Sequence, residues 1–324
     1  MNDNFDENQL DEIFDENKLD RAIRKGKRKS TKKTILISLV VATFVFVFVT
    51  VGNSALTINM SNKAYQWMDA YVQLTVPNGY ISKSIDTFSF LGGRSDYTIS
   101  RTVGGKPVIL ENRVQGFGFL PQLIMTRQQG GAGQVAGQWP TNYWEYGYNK
   151  MIFFHPDITY KEYKNDLVNL SQISNDKLIE VGVSLDRPYK ISEISKILPD
   201  VNISWYWVDA FRKEDLERYE KEAVEYDAKA TYINEFNVLG VNMRPSQGVD
   251  SFATNYKSLL YSLKTSQDPK FSEIFSELNA EGYTDSSKVP ILGAIVYGTK
   301  DQLKSLLGNP HIKASSFGVI VDKY

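Results

Sequence analysis

The feature that most constrains this chain is an uncharged apolar run at residues 34–51, of which thirteen are Val, Leu, Ile or Phe. A helix rises ~1.5 Å per residue, so a run of this length comes close to spanning the ~30 Å of hydrocarbon in a bilayer. A single strand of this length is improbable, because strands usually contain about four to eight residues. The run therefore predicts one transmembrane helix, which we place at residues 34–52.

A cleaved signal peptide is the main alternative for this run, because a basic stretch precedes it. However, the 33 residues ahead of the run exceed the length of a whole ordinary signal peptide. The sequence after the run, Gly52-Asn53-Ser54-Ala55, is also a poor small-residue cleavage site. We therefore expect an uncleaved single-pass anchor.

The charges ahead of the run are sorted into two blocks. Residues 1–20 contain eight Asp or Glu and one Lys, whereas residues 21–33 contain eight Lys or Arg and no acid. Because an excess of Lys and Arg stays on the cytoplasmic side of a membrane, we expect residues 1–33 inside the cell and 53–324 outside. The chain has no cysteine, which excludes disulfides and thiolate metal ligands.

The acidic block contains a nine-residue repeat, because Phe-Asp-Glu-Asn at residues 5–8 returns at residues 14–17. Apolar side chains within the block follow helical spacing and form a narrow stripe. So little apolar surface predicts a disordered or frayed segment, which becomes a helix when the stripe meets a groove on a partner. The alternative is an acidic tail that pairs loosely with the basic block. The candidate partner-binding residues are Phe5, Leu10, Ile13, Phe14, Leu19 and Ile23.

The outer part of the chain predicts an α+β fold. Residues 53–159 alternate short apolar runs with glycine-rich turns, which is typical of short strands, and a long loop is expected near 128–138. Residues 160–324 mix helical and strand patterns. Trp205 and Trp207 fall on one face of a predicted strand, where core packing is favoured over a ligand platform.

The best-defined unit lies near the C-terminus. Residues 290–298 predict a buried strand, and Thr299 with Gln302 forms the capping-box pattern that begins a helix. Gly308 is expected to end that helix, and a final strand is expected at residues 317–321. Strand, helix and strand in succession predict helices packed against a sheet.

Signals for catalysis and for metal binding are missing from the sequence. His155 and His311 are the only histidines, and neither lies in a metal-binding or catalytic motif. No G-x-S-x-G nucleophile motif is present. We therefore expect no enzyme, no cofactor and no metal site.

The sequence resembles the membrane-bound sigma factor regulators of Gram-positive bacteria in two regions. Residues 18–118 carry the first likeness, from KLDRAIRKGKRKSTKKTILISLVV to NRVQGFGF. Residues 160–324 carry the second, through VGVSLDRPYKISEI, ISWYWVDAF, VPILGAIVYGT and LLGNPHIKASSFGVIVDKY.

The resemblance implies an anti-sigma factor, in which a cytoplasmic tail sequesters an extracytoplasmic-function sigma factor and an outer sensor domain controls its release. It implies a sigma factor and the lipid bilayer as partners, with no direct contact to nucleic acid. The best-known anti-sigma tails use a zinc-binding His and Cys fold, which this chain lacks. A tail of about 33 residues must bind extended or recruit a second small membrane protein. The alternative function is a membrane-anchored envelope protein that binds a cell-wall or lipid ligand.

Overall fold

The computed structural model describes residues 16–121, 132–133, 137–243 and 250–323. The chain divides into two compact units, Met1–Asn59 and Met60–Tyr324. In chain order the helices are α1 Glu16–Thr75, α2 Ile191–Ile197, α3 Lys213–Glu225, α4 Asp250–Thr265, α5 Pro269–Ala280 and α6 Lys300–Leu303. The strands are β1 Gly79–Ser89, β2 Gly92–Val103, β3 Lys106–Gly118, β4 Ala132–Gly133, β5 Thr141–Asn142, β6 Ile152–Phe153, β7 Lys177–Tyr189, β8 Asn202–Val208, β9 Ile233–Asn234, β10 Gly240–Asn242, β11 Ile291–Gly298 and β12 Ile312–Asp322.

Helix α1 is 60 residues long and contains the predicted span. It is the one described helix that is long and apolar enough to cross a membrane, and the side chains of its apolar part are exposed. The acidic block is predicted to be disordered or frayed in isolation, whereas its described part, residues 16–20, is helical. The prediction of short strands directly after residue 52 is wrong, because α1 continues to Thr75.

The end of α1 is helical because its apolar residues recur every fourth position. Met68, Val72 and the following Val76 are buried against an antiparallel sheet of order β1-β2-β3. The facing core residues of that sheet are Tyr97, Ile99, Val103, Val108 and Leu110. Packing of this apolar stripe extends the helix beyond the membrane-spanning run.

The larger sheet has the order β10-β8-β11-β7-β12, and all its neighbouring strands are antiparallel. One face packs against α4 and α5 through residues such as Tyr256 and Phe271. The other face packs against residues 151–160 and against Phe211 and Tyr219. The combination of antiparallel sheets and helices confirms the α+β fold class.

Several local predictions are confirmed. Thr299 and Gln302 form a reciprocal capping box, and Gly308 has a positive φ of 72° after the helix. Trp205 and Trp207 are buried in the core, which agrees with the core interpretation. The predicted last strand is longer than expected, because β12 begins at residue 312. Most of the predicted loop at 128–138 lies outside the described residues.

Candidate functional site

The described part of the predicted tail contains Leu19 and Ile23. Both lie on α1 one turn apart, and their side chains are 55% and 47% exposed. Asp20 and Arg24 form an exposed ion pair at 3.6 Å on the same segment. The other predicted contacts, Phe5, Leu10, Ile13 and Phe14, lie outside the described residues.

A buried ion cluster joins the smaller sheet to the larger one. The Arg101 guanidinium on β2 donates from Nη1 to Glu180 Oε2 at 2.8 Å and from Nη2 to Glu235 Oε1 at 3.3 Å. All three side chains are at most 1% exposed. Glu180 lies on β7, and Glu235 begins a short 3₁₀ helix. We call these three residues the ion cluster.

Backbone donors hold both carboxylates of the ion cluster in place. The N–H of Met151 donates to Glu235 Oε2 at 3.0 Å, and the N–H of Val319 donates to Glu180 Oε2 at 3.3 Å. Gly318 leaves room for this arrangement, because a Cβ there would lie 2.8 Å from Glu180 Oε2. These backbone donors and the close packing at Gly318 therefore fix the orientation of the carboxylates.

The ion cluster contains one cation and two carboxylates. Burial raises the pKa of Glu235 despite the neighbouring guanidinium. Burial also opposes the charge of Arg101, but the two carboxylates outweigh it and raise the pKa of Arg101. The site is thus built to hold the arginine charged and to bind an additional proton on Glu235 as the pH falls.

The sequence predictions missed the ion cluster. One signal was available, because Glu180 interrupts an otherwise apolar segment at residues 179–183. That segment is buried on both faces, so an unpaired charge in it would be very costly. Nothing local identified Arg101 or Glu235 as its partners, because they lie 79 residues before it and 55 after it.

A cavity of about 780 Å³ lies in the compact unit Met60–Tyr324. Polar side chains from both sheets and from α4 line it, and none of the described lining residues is charged. Its hydrogen-bonding residues include Asn78, Thr102, Ser204, Asn242 and Asn255. Such a lining is suited to an uncharged ligand that carries hydrogen-bonding groups.

Asn242 connects the two sides of this cavity. Its Oδ1 accepts from the backbone N–H of Asn78 at 3.0 Å, and its backbone carbonyl accepts from Asn255 Nδ2 at 2.8 Å. The side-chain nitrogen of Asn78 is buried and has no hydrogen-bond partner among the described residues. Asn78 therefore carries a buried donor without a partner beside the cavity.

The two histidines lie apart and in different surroundings. His155 is buried, with its ring 5.5 Å from Phe211 and 6.2 Å from Trp207. His311 Nδ1 lies 2.9 Å from the hydroxyl of Tyr189. Within the described ranges, no group of three or more His, Cys, Asp or Glu side chains is placed to hold a metal ion.

Comparison with protein families gives two matches. A model described as sigma factor regulator N-terminal matches residues 20–108, and one described as sigma factor regulator C-terminal matches residues 170–319. The chain belongs to the sigma factor regulator family. The family is regulatory rather than catalytic, and together with the apolar helix it indicates a membrane-anchored, anti-sigma factor-like regulator. No curated protein and no solved structure matches the chain.

In this member of the sigma factor regulator family, the ion cluster and the cavity each combine residues from both matched regions. Arg101 lies within the N-terminal match, whereas Glu180 and Glu235 lie within the C-terminal match. The cavity is likewise lined by Asn78 from the N-terminal match and by Asn242 from the C-terminal match. In this regulator, both features therefore join the two regions that the family models match.

Proposed function

We propose that this chain is a single-pass anti-sigma factor, with residues 1–33 in the cytoplasm and residues 53–324 outside the cell. The order of the charges supports this orientation, because eight Lys or Arg directly precede the span. We further propose two outer domains, at residues 53–159 and 160–324. The observation that carries the proposal is the pair of family matches, the first of which includes the apolar span.

The proposed tail contacts on the sigma factor are Phe5, Leu10, Ile13, Phe14, Leu19 and Ile23. In the described part of the tail, Leu19 and Ile23 are exposed on one helical face, which leaves them accessible to a partner. The surrounding acids would steer the tail to a basic surface, and DNA-binding proteins present such surfaces. The sigma factor would thereby be held at the membrane and away from promoters.

We propose that the outer part of the chain is the sensor and that its ligand enters the cavity. A ligand in the cavity that contacts Asn78 and Asn242 would touch both matched regions, so its binding energy could depend on their arrangement. The alternative function, an envelope protein that binds a cell-wall or lipid ligand, would use the same cavity. The two functions differ in the role of the tail.

Copurification with the full-length chain from bacterial membranes tests the tail. The double variant Leu19→Gln with Ile23→Gln should lose most of the bound sigma factor, because both apolar contacts become polar. Arg21→Gln with Arg28→Gln is the matched control, because these residues lie about half a turn around the helix from Leu19 and Ile23. Equal recovery of the sigma factor by both double variants would contradict the proposed contacts. The same experiment would identify a second small membrane protein if the tail recruits one.

Deletion of residues 1–20 separates the two functions. An anti-sigma factor without its tail should release its sigma factor, so transcription from that sigma factor's promoters should rise. An envelope binding protein with a purely anchoring tail should leave transcription unchanged. Unchanged transcription, with the deleted chain still present in the membrane, would therefore favour the alternative.

A further inference from the structure

An exposed apolar cluster lies at one end of the smaller sheet, where β1 turns into β2 and β3 ends. Phe88, Phe90, Phe119 and Leu120 form this cluster, which we call the hairpin tip, and they are 48–71% exposed. The segments 87–93 and 114–121 contain no charged residue. A contiguous apolar surface of this kind indicates a binding surface.

Hydrogen bonds and close packing hold the hairpin tip in one conformation. The carbonyl of Leu91 accepts from the N–H groups of Phe119 at 2.8 Å and Leu120 at 3.2 Å. Leu91 has a φ of 55°, a left-handed value that is uncommon for leucine. A Cβ on Gly93 would lie 2.3 Å from the Thr87 carbonyl oxygen, so the turn has no room for a larger residue there. The exposed rings are thus presented by an ordered turn.

The hairpin tip lies at the end of its unit where the chain enters. Strand β1 runs back along the last part of α1, as shown by a hydrogen bond from the Ser61 hydroxyl to Asp86 and by ring contact between Tyr65 and Tyr97 at 6.2 Å. The strand continues beyond Asp86 toward the tip, so the tip lies on the Met60 side of the unit. Residues 53–59 connect this side to the predicted span, and seven residues cover at most about 25 Å even when fully extended.

We propose that the hairpin tip docks on the lipid bilayer, with its phenylalanines at the boundary between headgroups and acyl chains. Aromatic and aliphatic side chains on segments that contain no charged residue suit this boundary. The short connection keeps the unit near the membrane, so docking needs little additional loss of translational freedom. Lipid is therefore favoured over a soluble partner. This inference uses the membrane anchor and does not depend on binding of a sigma factor.

Spin labelling of the full-length chain in nanodiscs tests this docking. Because the chain has no cysteine, Phe90→Cys introduces a single labelling position. The matched control is Ile109→Cys, since Ile109 is 45% exposed on β3 near the opposite end of the sheet. We expect the label at position 90 to be several-fold more accessible to oxygen than to a water-soluble nickel chelate, relative to the label at 109. Equal accessibility ratios at the two positions would overturn the proposal.

A second set of samples separates lipid contact from contact between two copies of the chain. Nanodiscs that hold one copy should give the same protection of position 90 as liposomes that hold many copies. Protection found only in liposomes, together with spin–spin broadening, would indicate that the hairpin tip contacts a second copy of the chain. That result would overturn the proposal. Adding Phe88→Ser and Phe119→Ser to the labelled chain should make the label at position 90 accessible to the nickel chelate, if these rings maintain the docking. Unchanged protection in that variant would contradict their role.

Discussion

Arg101 Nη1 lies 2.8 Å from Glu180 Oε2, and this fully buried ion pair connects β2 of the smaller sheet to β7 of the larger sheet. A buried ion pair is weak support for stability, because removing two charges from water offsets much of their attraction. Its geometry is nevertheless specific, because a displaced sheet would leave both charges without partners. The pair therefore favours one arrangement of the two matched regions over others.

Substitution of Arg101 should strongly destabilise the unit Met60–Tyr324. Arg101→Met preserves much of the volume but leaves Glu180 and Glu235 buried without their cation, which should lower the free energy of unfolding by about 3–5 kcal/mol. Urea unfolding of the full-length chain in detergent, followed by tryptophan fluorescence, measures this loss. All five tryptophans lie between residues 67 and 207, so the signal reports the unit Met60–Tyr324.

Glu235→Gln is the matched control for this measurement. The variant keeps the shape of the side chain and removes the second negative charge. Its amide oxygen can accept from only one of the two donors, Arg101 and Met151, so we expect a smaller loss of about 1–2 kcal/mol. A loss for Arg101→Met no greater than that for Glu235→Gln would contradict the role given to the cation.

Glu235 should also make stability depend on pH. Burial raises its folded-state pKa above the ordinary value of 4.5, so just above pH 4.5 the folded chain holds a proton that the unfolded chain has released. The free energy of unfolding should therefore fall as the pH rises through this window. Unfolding of the wild-type chain at a series of pH values should show this fall, and Glu235→Gln should lack that component.

Asp215 contributes with the opposite sign and in a different window. Burial opposes its charge, but hydrogen bonds from Arg212 and Arg218 outweigh it and lower the pKa of Asp215 below 3.8. Its stabilisation is present above that value and lost as the pH falls through the lowered pKa. The difference between the wild-type chain and Glu235→Gln isolates Glu235, because Asp215 is common to both.

The sequence predicts those features that depend on residues close together in the chain, and it does not predict those that depend on distant residues. The apolar run, the capping box at Thr299 and Gln302, and the core tryptophans are encoded by neighbouring residues, and each was predicted. The continuation of α1 to Thr75 was missed, although Met68 and Val72 carry helical spacing. The helical spacing of these two residues identifies a core-facing stripe only once the sheet that they pack against is known.

The ion cluster and the cavity could not be predicted in the same way. Arg101 meets Glu235 across 134 positions of sequence, and no local pattern states which buried charges pair. The cavity wall depends on Asn78 meeting Asn242 across 164 positions. The tail contacts Leu19 and Ile23 were chosen from spacing alone, and their binding role stays a prediction.

Loss of the capping hydroxyl at Thr299 should destabilise the chain modestly. Thr299 accepts from the Gln302 N–H, and the Gln302 side chain accepts from the Thr299 N–H at 2.8 Å. Thr299→Ala should lower the free energy of unfolding by about 0.5–2 kcal/mol. Ser276→Ala is the control, because Ser276 is an exposed hydroxyl inside α5 and alanine favours helix there. The same urea measurement applies, and an equal effect of both substitutions would contradict the capping role.

Removal of the Asn242 side chain should loosen the junction at the cavity. Asn242→Ala leaves the Asn78 N–H without its acceptor, so we expect a loss of about 1–2 kcal/mol in the free energy of unfolding. Asn242→Asp retains an oxygen at the same position and should recover most of the loss. Hydrogen exchange at the Asn78 amide gives a local readout, because exchange there should accelerate in Asn242→Ala and remain slow in Asn242→Asp. Equally fast exchange in both variants would mean that this hydrogen bond does not hold the two sides of the cavity together.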